Sequence, residues 1–228
     1  MRNEPKYCEK SSAGGERAMM SAPDEVVFVV DDDIRVRNAI GGLLQSWGWR
    51  TEAFGAAADY LAYPKPDLPA CLILDLHLPD INGLELQKRL SQDAHPPIIF
   101  VTGYGDIPSS VRAMQGGAVN FLTKPVGQDE LLPAIRSAIQ LDRVQRSARA
   151  ECAELRRRLA ALTPREREVL PLVVSGLLNK QAAAELGISE ITLQIHRSKV
   201  MQKMQAASLA ELVRIADRLH IPVTRSRR

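Results

Sequence analysis

Short apolar runs alternate with amphipathic stretches through the first part of the chain. Val26–Val30, Leu72–Leu74, Ile98–Val101 and Val119–Leu122 are short, aliphatic-rich and bounded by polar residues. That is the pattern of strands buried on both faces of a parallel sheet. Between them, Ile34–Trp47 carries Ile34, Ala39/Ile40, Leu43/Leu44 and Trp47 at helical spacing, and Leu84–Leu90 and Ser109–Met114 predict further helices. Pro64, Pro66 and Pro69 mark the loop before the Leu72 strand. Strand-helix alternation of this kind predicts a doubly wound α/β fold.

The pattern then changes. From Ala134 to Thr163 there is no Gly and no Pro, and Ala, Arg, Glu, Gln and Leu dominate, which predicts one long helix over Gln128–Leu162. Its first turns are amphipathic through Leu131, Leu132, Ile135 and Ile139. Its middle, Asp142–Glu154, is mostly polar and reads as a helical spacer, as part of a dimer seam or as a frayed linker. Thr163-Pro164-Arg165-Glu166 restarts a helix, with Thr163 as N-cap, Pro164 at the first helical position and Glu166 closing a capping box. Four helices are expected from there: Pro164–Ser175, Lys180–Leu186, Glu190–Met204 and Leu209–Leu219. Gly187 suits a left-handed C-cap and Ser189 an N-cap, so the second and third form a helix-turn-helix. The module is therefore a second, smaller all-α domain.

The strand ends carry the chemistry. Val26–Val30 runs into Asp31 and Asp32, Leu72–Leu74 into Asp75, Ile98–Val101 into Thr102, and Val119–Leu122 into Thr123-Lys124-Pro125. Side chains just past the carboxyl ends of parallel strands converge on one crevice. Three carboxylates, a hydroxyl and an ammonium meeting there can hold a hard divalent cation, offer a carboxylate nucleophile and neutralise a phosphoryl group.

Composition bounds the alternatives. The chain has 228 residues, enough for one medium and one small domain, and no apolar run approaches the ~20 residues of a membrane span. Met1–Glu25 is polar, without the apolar core of a signal peptide, so a cytoplasmic protein with no membrane partner is expected. Three scattered cysteines have neither metal-type spacing nor a disulfide framework. Residues 1–141 hold 13 Lys/Arg against 18 Asp/Glu, a net of −5, whereas residues 142–228 hold 17 against 9, a net of +8. An acidic half joined to a basic half suggests a control module joined to a nucleic-acid binder, although a solvated basic surface gives the same count. The expected organisation is a disordered tail over 1–25, an α/β domain over 26–141, a helical linker over 142–161, a helix-turn-helix domain over 162–220 and a basic tail over 221–228.

Four segments, V-V-D-D at Val29–Asp32, D-L-H-L-P-D-I-N-G at Asp75–Gly83, V-T-G at Val101–Gly103 and K-P at Lys124–Pro125, resemble the receiver domains of two-component response regulators. Leu162–Leu170, Gly176–Lys180, Leu186–Ser189 and His196–Met204 resemble the LuxR-type DNA-binding domain. The combination is that of the NarL/FixJ class, and Gly105–Pro108 with His196–Met204 is closest to FixJ-like members. The resemblance implies a flavodoxin-like (βα)5 receiver. It implies a regulator rather than an enzyme, with Asp75 as phosphoacceptor and a sensor histidine kinase as donor. Mg²⁺ would be held by Asp31, Asp32, Asp75 and the backbone carbonyl of His77. Thr102 and Lys124 would contact the phosphoryl group, Thr102 and Phe121 would form the switch, and His77 and Tyr104 would flank the attacking water. Base contacts would come from Gln194, Ile195 and Ser198, and phosphate contacts from Lys180, Thr192, His196, Arg197, Lys199 and Lys203. Double-stranded promoter DNA bearing an inverted repeat, RNA polymerase and a phosphorylation-dependent homodimer are the remaining implied partners. Three departures from the family pattern stand out: Pro171 inside a helix, which should kink it; small Ala182 where a larger apolar side chain is usual; and Val126 where Phe is usual. A rival reading takes Asp31-Asp32-Asp33 as the D-x-D of a haloacid-dehalogenase-like phosphatase, with Asp31 as nucleophile and Asp33 as acid/base.

Overall fold

Alternate residues of a strand face opposite sides of its sheet, and here both sides are apolar. In strand β1 (Val26–Val30), Val26, Phe28 and Val30 enter one core while Val27 and Val29 enter another. The computed structural model describes residues 25–103 and 105–222. They divide into two units, with the boundary between Arg143 and Val144. In the first unit, β1 is joined by β2 (Arg50–Phe54), β3 (Ala70–Leu74), β4 (Ile98–Thr102) and β5 (Asn120–Thr123). All pairings are parallel and the order is β2-β1-β3-β4-β5. Helices α1 (Ile34–Ser46) and α5 (Gln128–Ala160) cover one face through Ile40, Leu44, Leu131, Ile135 and Ala138. Helices α2 (Ala57–Ala62), α3 (Gly83–Leu90) and α4 (Ile107–Gln115) cover the other through Tyr60, Leu86, Leu90 and Ala113. This is the doubly wound α/β architecture the sequence predicts. At this order the chain reverses direction across the sheet between β1 and β3, so a crevice opens at their carboxyl ends.

Two elements escaped the sequence pattern. β2 lies at the sheet edge and reads R-T-E-A-F, with Arg50 and Ala53 exposed, so it forms no apolar run. α2 has Ala56 at its N-cap position with no side-chain bond of its own. Its first amides are instead capped from a distant loop: the Asp80 carboxylate accepts from the N–H of Ala57 at 3.3 Å and of Ala58 at 2.9 Å.

Two residues beside the expected boundaries of the first domain are buried in it. Glu25, assigned to the tail, is 8% exposed; it accepts from Trp49 Nε1 at 2.9 Å and pairs with Arg143. Asp142, assigned to the linker, is buried and accepts from the N–H of Ala70 at 2.9 Å. The rest of the expected tail, Tyr104 and residues 223–228 of the basic tail lie outside the described residues.

The second unit comprises the last turns of α5 with α6 (Pro164–Val174), α7 (Asn179–Leu186), α8 (Glu190–Met204) and α9 (Leu209–Arg218). α5 is continuous, as propensity predicted, but its final turns are no mere linker. Leu155, Leu159 and Leu162, spaced four and three apart, pack with the core of Val169, Val173, Leu193, Val200, Met204 and Leu212. Arg158 donates to the carbonyl of Met204, and Arg218 pairs with Glu151. α6 runs through Pro171 to Val174. A mid-helix proline costs ~3 kcal/mol or more, but Val169, Leu170, Leu172 and Val173 around it are all buried, each contributing ~1.5–3 kcal/mol. Ala182 is 1% exposed within the same core.

Candidate functional site

Four of the five strands, β1, β3, β4 and β5, deliver their polar endings to the same end of the sheet. The Asp75 amide donates to the Val30 carbonyl at 2.8 Å, extending the β1–β3 ladder, and the Lys124 amide donates to the Thr102 carbonyl at 2.8 Å, extending β4–β5. The side chains therefore leave the sheet in register. Lys124 Nζ lies 2.6 Å from Asp31 Oδ2 and 2.8 Å from Asp75 Oδ2. One carboxylate oxygen from each of Asp31, Asp32 and Asp75 lies within 4.8 Å of the other two. Asp31 and Asp75 are 2% and 6% exposed, Asp32 faces outward, and Thr102 is fully buried at the end of β4. The sequence-predicted set of Asp31, Asp32, Asp75, Thr102 and Lys124 thus sits at one end of the sheet, with the Asp31 and Asp75 carboxylates in contact with the ammonium.

Gly83 permits the approach of the loop that follows β3. A Cβ there would stand 2.5 Å from the Asp75 carbonyl oxygen and 3.1 Å from the Phe100 ring. Glycine is the residue for such a close backbone approach. The loop is pinned by the Gly83 amide donating to the Leu76 carbonyl at 2.8 Å and by Asn82 capping α3. The His77 amide donates to Asp75 Oδ1 at 3.4 Å.

Burial raises the Asp31 carboxyl above its ordinary range, against the opposing hydrogen bond from Lys124. Burial disfavours the Lys124 ammonium, but its bonds to Asp31 and Asp75 outweigh that, and its pKa is raised. Lys124 is therefore charged at neutral pH. Three carboxylates against one ammonium leave about two negative charges, and hard oxygen donors at this spacing match a divalent cation such as Mg²⁺.

Asp33 is not part of this cluster. It caps α1, accepting from the Arg35 amide at 2.8 Å, and grips the Arg35 guanidinium, whose hydrogen bonds hold its pKa down at about 2. Capping α1 is an ordinary structural role for this carboxylate, and the phosphatase reading finds no support in it. Phe121, half-buried on β5, packs on Phe100 with ring centroids 6.1 Å apart. Gly105 lies over it; a Cβ there would stand 3.2 Å from the Phe121 ring. Val126 borders a cavity of about 260 Å³ with Val36, Ala39, Leu43 and the Lys124 stem.

In the second unit the turn forms as its residues dictate. Gly187 takes φ +64° at the end of α7, and Ser189 Oγ accepts from the Thr192 amide at 3.1 Å. α8 buries Leu193, Val200 and Met204 and exposes Ile191, Gln194, Ile195, Ser198, Lys199 and Gln202. Lys180 is exposed at the start of α7. Other expected phosphate contacts are engaged within the unit. Arg197 donates to Asn179 Oδ1 at 2.8 Å, and Thr192 Oγ1 bonds Ser189 Oγ at 2.8 Å. His196 is half-buried, with Nδ1 enclosed. Lys203 is committed furthest, lying 2.7 Å from the buried Glu166 carboxylate and 3.2 Å from the Ala161 carbonyl. Glu166 also accepts from the Thr163 amide at 2.8 Å, completing the predicted capping box. These bonds engage Lys203 in the fold of this unit.

Residues 27–136 match the response regulator receiver domain family, and residues 160–216 match the luxR family of bacterial regulatory proteins. Nodulation protein W of Bradyrhizobium diazoefficiens is 49% identical over 86% of this chain and 87% of its own. The response regulator protein TodT of Pseudomonas putida is 42% identical over 88% of each chain. The solved structure of response regulator StyR superimposes with a TM-score of 0.73 at 44% identity, covering 85% of this chain and 98% of that one.

Proposed function

Because this chain belongs to the response regulators that couple a receiver domain to a luxR-family helix-turn-helix, and so is a phosphorylation-controlled transcription regulator, we propose that Asp75 is its phosphoacceptor. The observation that carries this is the contact of the Lys124 ammonium with both Asp31 and Asp75 at the strand ends. A carboxylate oxygen of Asp75 attacks the phosphorus of a sensor kinase's phosphohistidine. The P–N bond breaks, the imidazole leaves, and an aspartyl phosphate forms. Lys124 follows the developing charge from the carboxylate to the phosphoryl oxygens. Asp31, Asp32 and Asp75, with the His77 carbonyl, would hold Mg²⁺, which supplies charge neutralisation to the transferring group.

Thr102 then turns its hydroxyl to the phosphoryl group, and Phe121 follows into the space released, altering the α4 surface. That surface is ready for a partner. Ile107, Val111 and Met114, spaced four and three apart, are all exposed on one side of α4. We assign them to a symmetric dimer formed on phosphorylation. Such a dimer places two helix-turn-helix modules on an inverted repeat in double-stranded promoter DNA, where the regulator meets RNA polymerase. Gln194, Ile195 and Ser198 face the bases, while Lys180 and Lys199, with the remaining donors of Arg197, Thr192 and His196, face the phosphates. Among the described residues no helix is long and apolar enough to cross a membrane, and a DNA target puts the protein's work in the cytoplasm.

The test is labelling by acetyl phosphate. Asp75→Asn abolishes Mg²⁺-dependent incorporation, whereas Asp33→Asn leaves it in place. Undiminished labelling of Asp75→Asn refutes the assignment.

A further inference from the structure

Single exposed aliphatic residues are ordinary on protein surfaces. α8 shows something more organised. Ile191 is 72% exposed and Ile195 is 51% exposed. They lie four residues apart, on one stripe of the helix, and Ser198 and Gln202 continue that stripe without a charge. The other aliphatic side chains of this helix are buried (Leu193, Val200, Met204) or partly so (Met201). Ile191 and Ile195 are thus exposed neither at random nor for want of a core to enter. Gln194 stands beside them, also exposed, and the exposed ammonium groups of Lys180 and Lys199 lie on the same unit, as a polyanionic partner requires.

Resting on the reading of α8 as the recognition helix, we propose that Ile191 is a specificity-determining residue that acts with Ile195 as an apolar reading edge for the 5-methyl groups of thymine. The N-terminal residues of a recognition helix contact base edges, and Ile191 is the second residue of α8. In the major groove, the thymine methyl is the apolar feature of the base edges. One helical turn separates the two side chains by about 6 Å along the helix axis, close to two base steps of about 3.4 Å. The two methyls read therefore lie within about two base pairs of each other. Gln194, whose amide matches adenine N6 and N7, sits between them in sequence, so each half-site centres on A·T pairs.

The experiment uses the full-length protein treated with acetyl phosphate. Bound sequences are selected from a randomised duplex pool. Each thymine of the selected half-site is then replaced in turn by deoxyuridine, which deletes the methyl and nothing else. Burial of one methyl-sized group predicts about a four-fold loss of affinity at each of two positions. Ile191→Ala should bind the thymine and deoxyuridine duplexes equally at one of those positions, and Ile195→Ala at the other. Wild-type affinity unchanged by complete deoxyuridine substitution overturns the proposal while leaving α8 as a DNA reader. Selection that enriches no sequence at all overturns the reading of α8 itself, and the proposal with it. Because the deoxyuridine series is measured on wild-type protein, neither outcome depends on the folding of a variant.

Discussion

Glu166→Gln should weaken the helical unit by an amount that depends on pH in a definite way. Glu166 is 2% exposed and serves both the Thr163 amide and the Lys203 ammonium. Its hydrogen bond from Lys203, with that from Thr163, lowers its pKa from 4.5 to about 2. At about 1.4 kcal/mol per pH unit, that distance is worth at most about 3.5 kcal/mol. Lys203 is about one-third exposed, so water and salt screen the pair, and ~1–2 kcal/mol is the expected loss. Glutamine still accepts from the Thr163 amide, so the loss is that of the charge. The folded-state pKa is depressed. The stabilisation is therefore complete above pH 4.5 and disappears as pH falls from there towards about 2. The chain is well built for the measurement, because its last aromatic residue is Phe121 and both tryptophans, Trp47 and Trp49, lie in the receiver. Tryptophan fluorescence then reports the receiver alone. Loss of far-ultraviolet helical signal without a fluorescence change reports the second unit. Denaturation of wild type and variant should show a gap in the helical transition at neutral pH that closes in acid, with the fluorescence transition unmoved. A gap that stays constant down to about pH 2, or none at pH 7, refutes the account of Lys203 as a structural partner.

Two further outcomes follow from the geometry. Gly83→Ala drives a Cβ into the Asp75 carbonyl oxygen, so the loop must shift; labelling by acetyl phosphate should fall sharply, and a wild-type rate would show that the loop has slack. Lys199→Ala should lower the salt dependence of DNA binding by about one counterion; Lys203→Ala should instead shift the helical unfolding transition, and the reverse pairing of effects would restore Lys203 to the phosphate contacts.

The candidate site was legible because strand ends are where sequence position and spatial position coincide. Apolar runs ending at Asp31, Asp75, Thr102 and Lys124 announce both the sheet and what its crevice holds. The turn of the helix-turn-helix was legible for the same local reason, through the glycine and serine that flank it. What stayed hidden depends on partners distant in sequence. β2 is an edge strand with polar residues, so periodicity misses it. Asp80 looks like one more loop acid until α2, with no cap of its own, is found against it. Lys203 reads as one more base in a basic helix until Glu166, 37 residues earlier, closes on it. Leu155 and Leu159 follow a mostly polar stretch, so their part in the second core shows only once Leu193, Val200 and Met204 are packed against them. The exposure of Ile191 could be learned only from the packing of Leu193, Val200 and Met204 beneath.

The long helix α5 buries side chains towards both ends and none in between. Asp142 is its last buried residue on the receiver side and Leu155 its next, and in the twelve positions between them no side chain is buried. An isolated helix of that length is marginal in water. Helices ordinarily fray from their ends, but this one should open first at its centre. Backbone amides from about Val144 to Glu154 should exchange with deuterium faster than those of the turns on either side, giving a trough of protection in the middle of an unbroken helix.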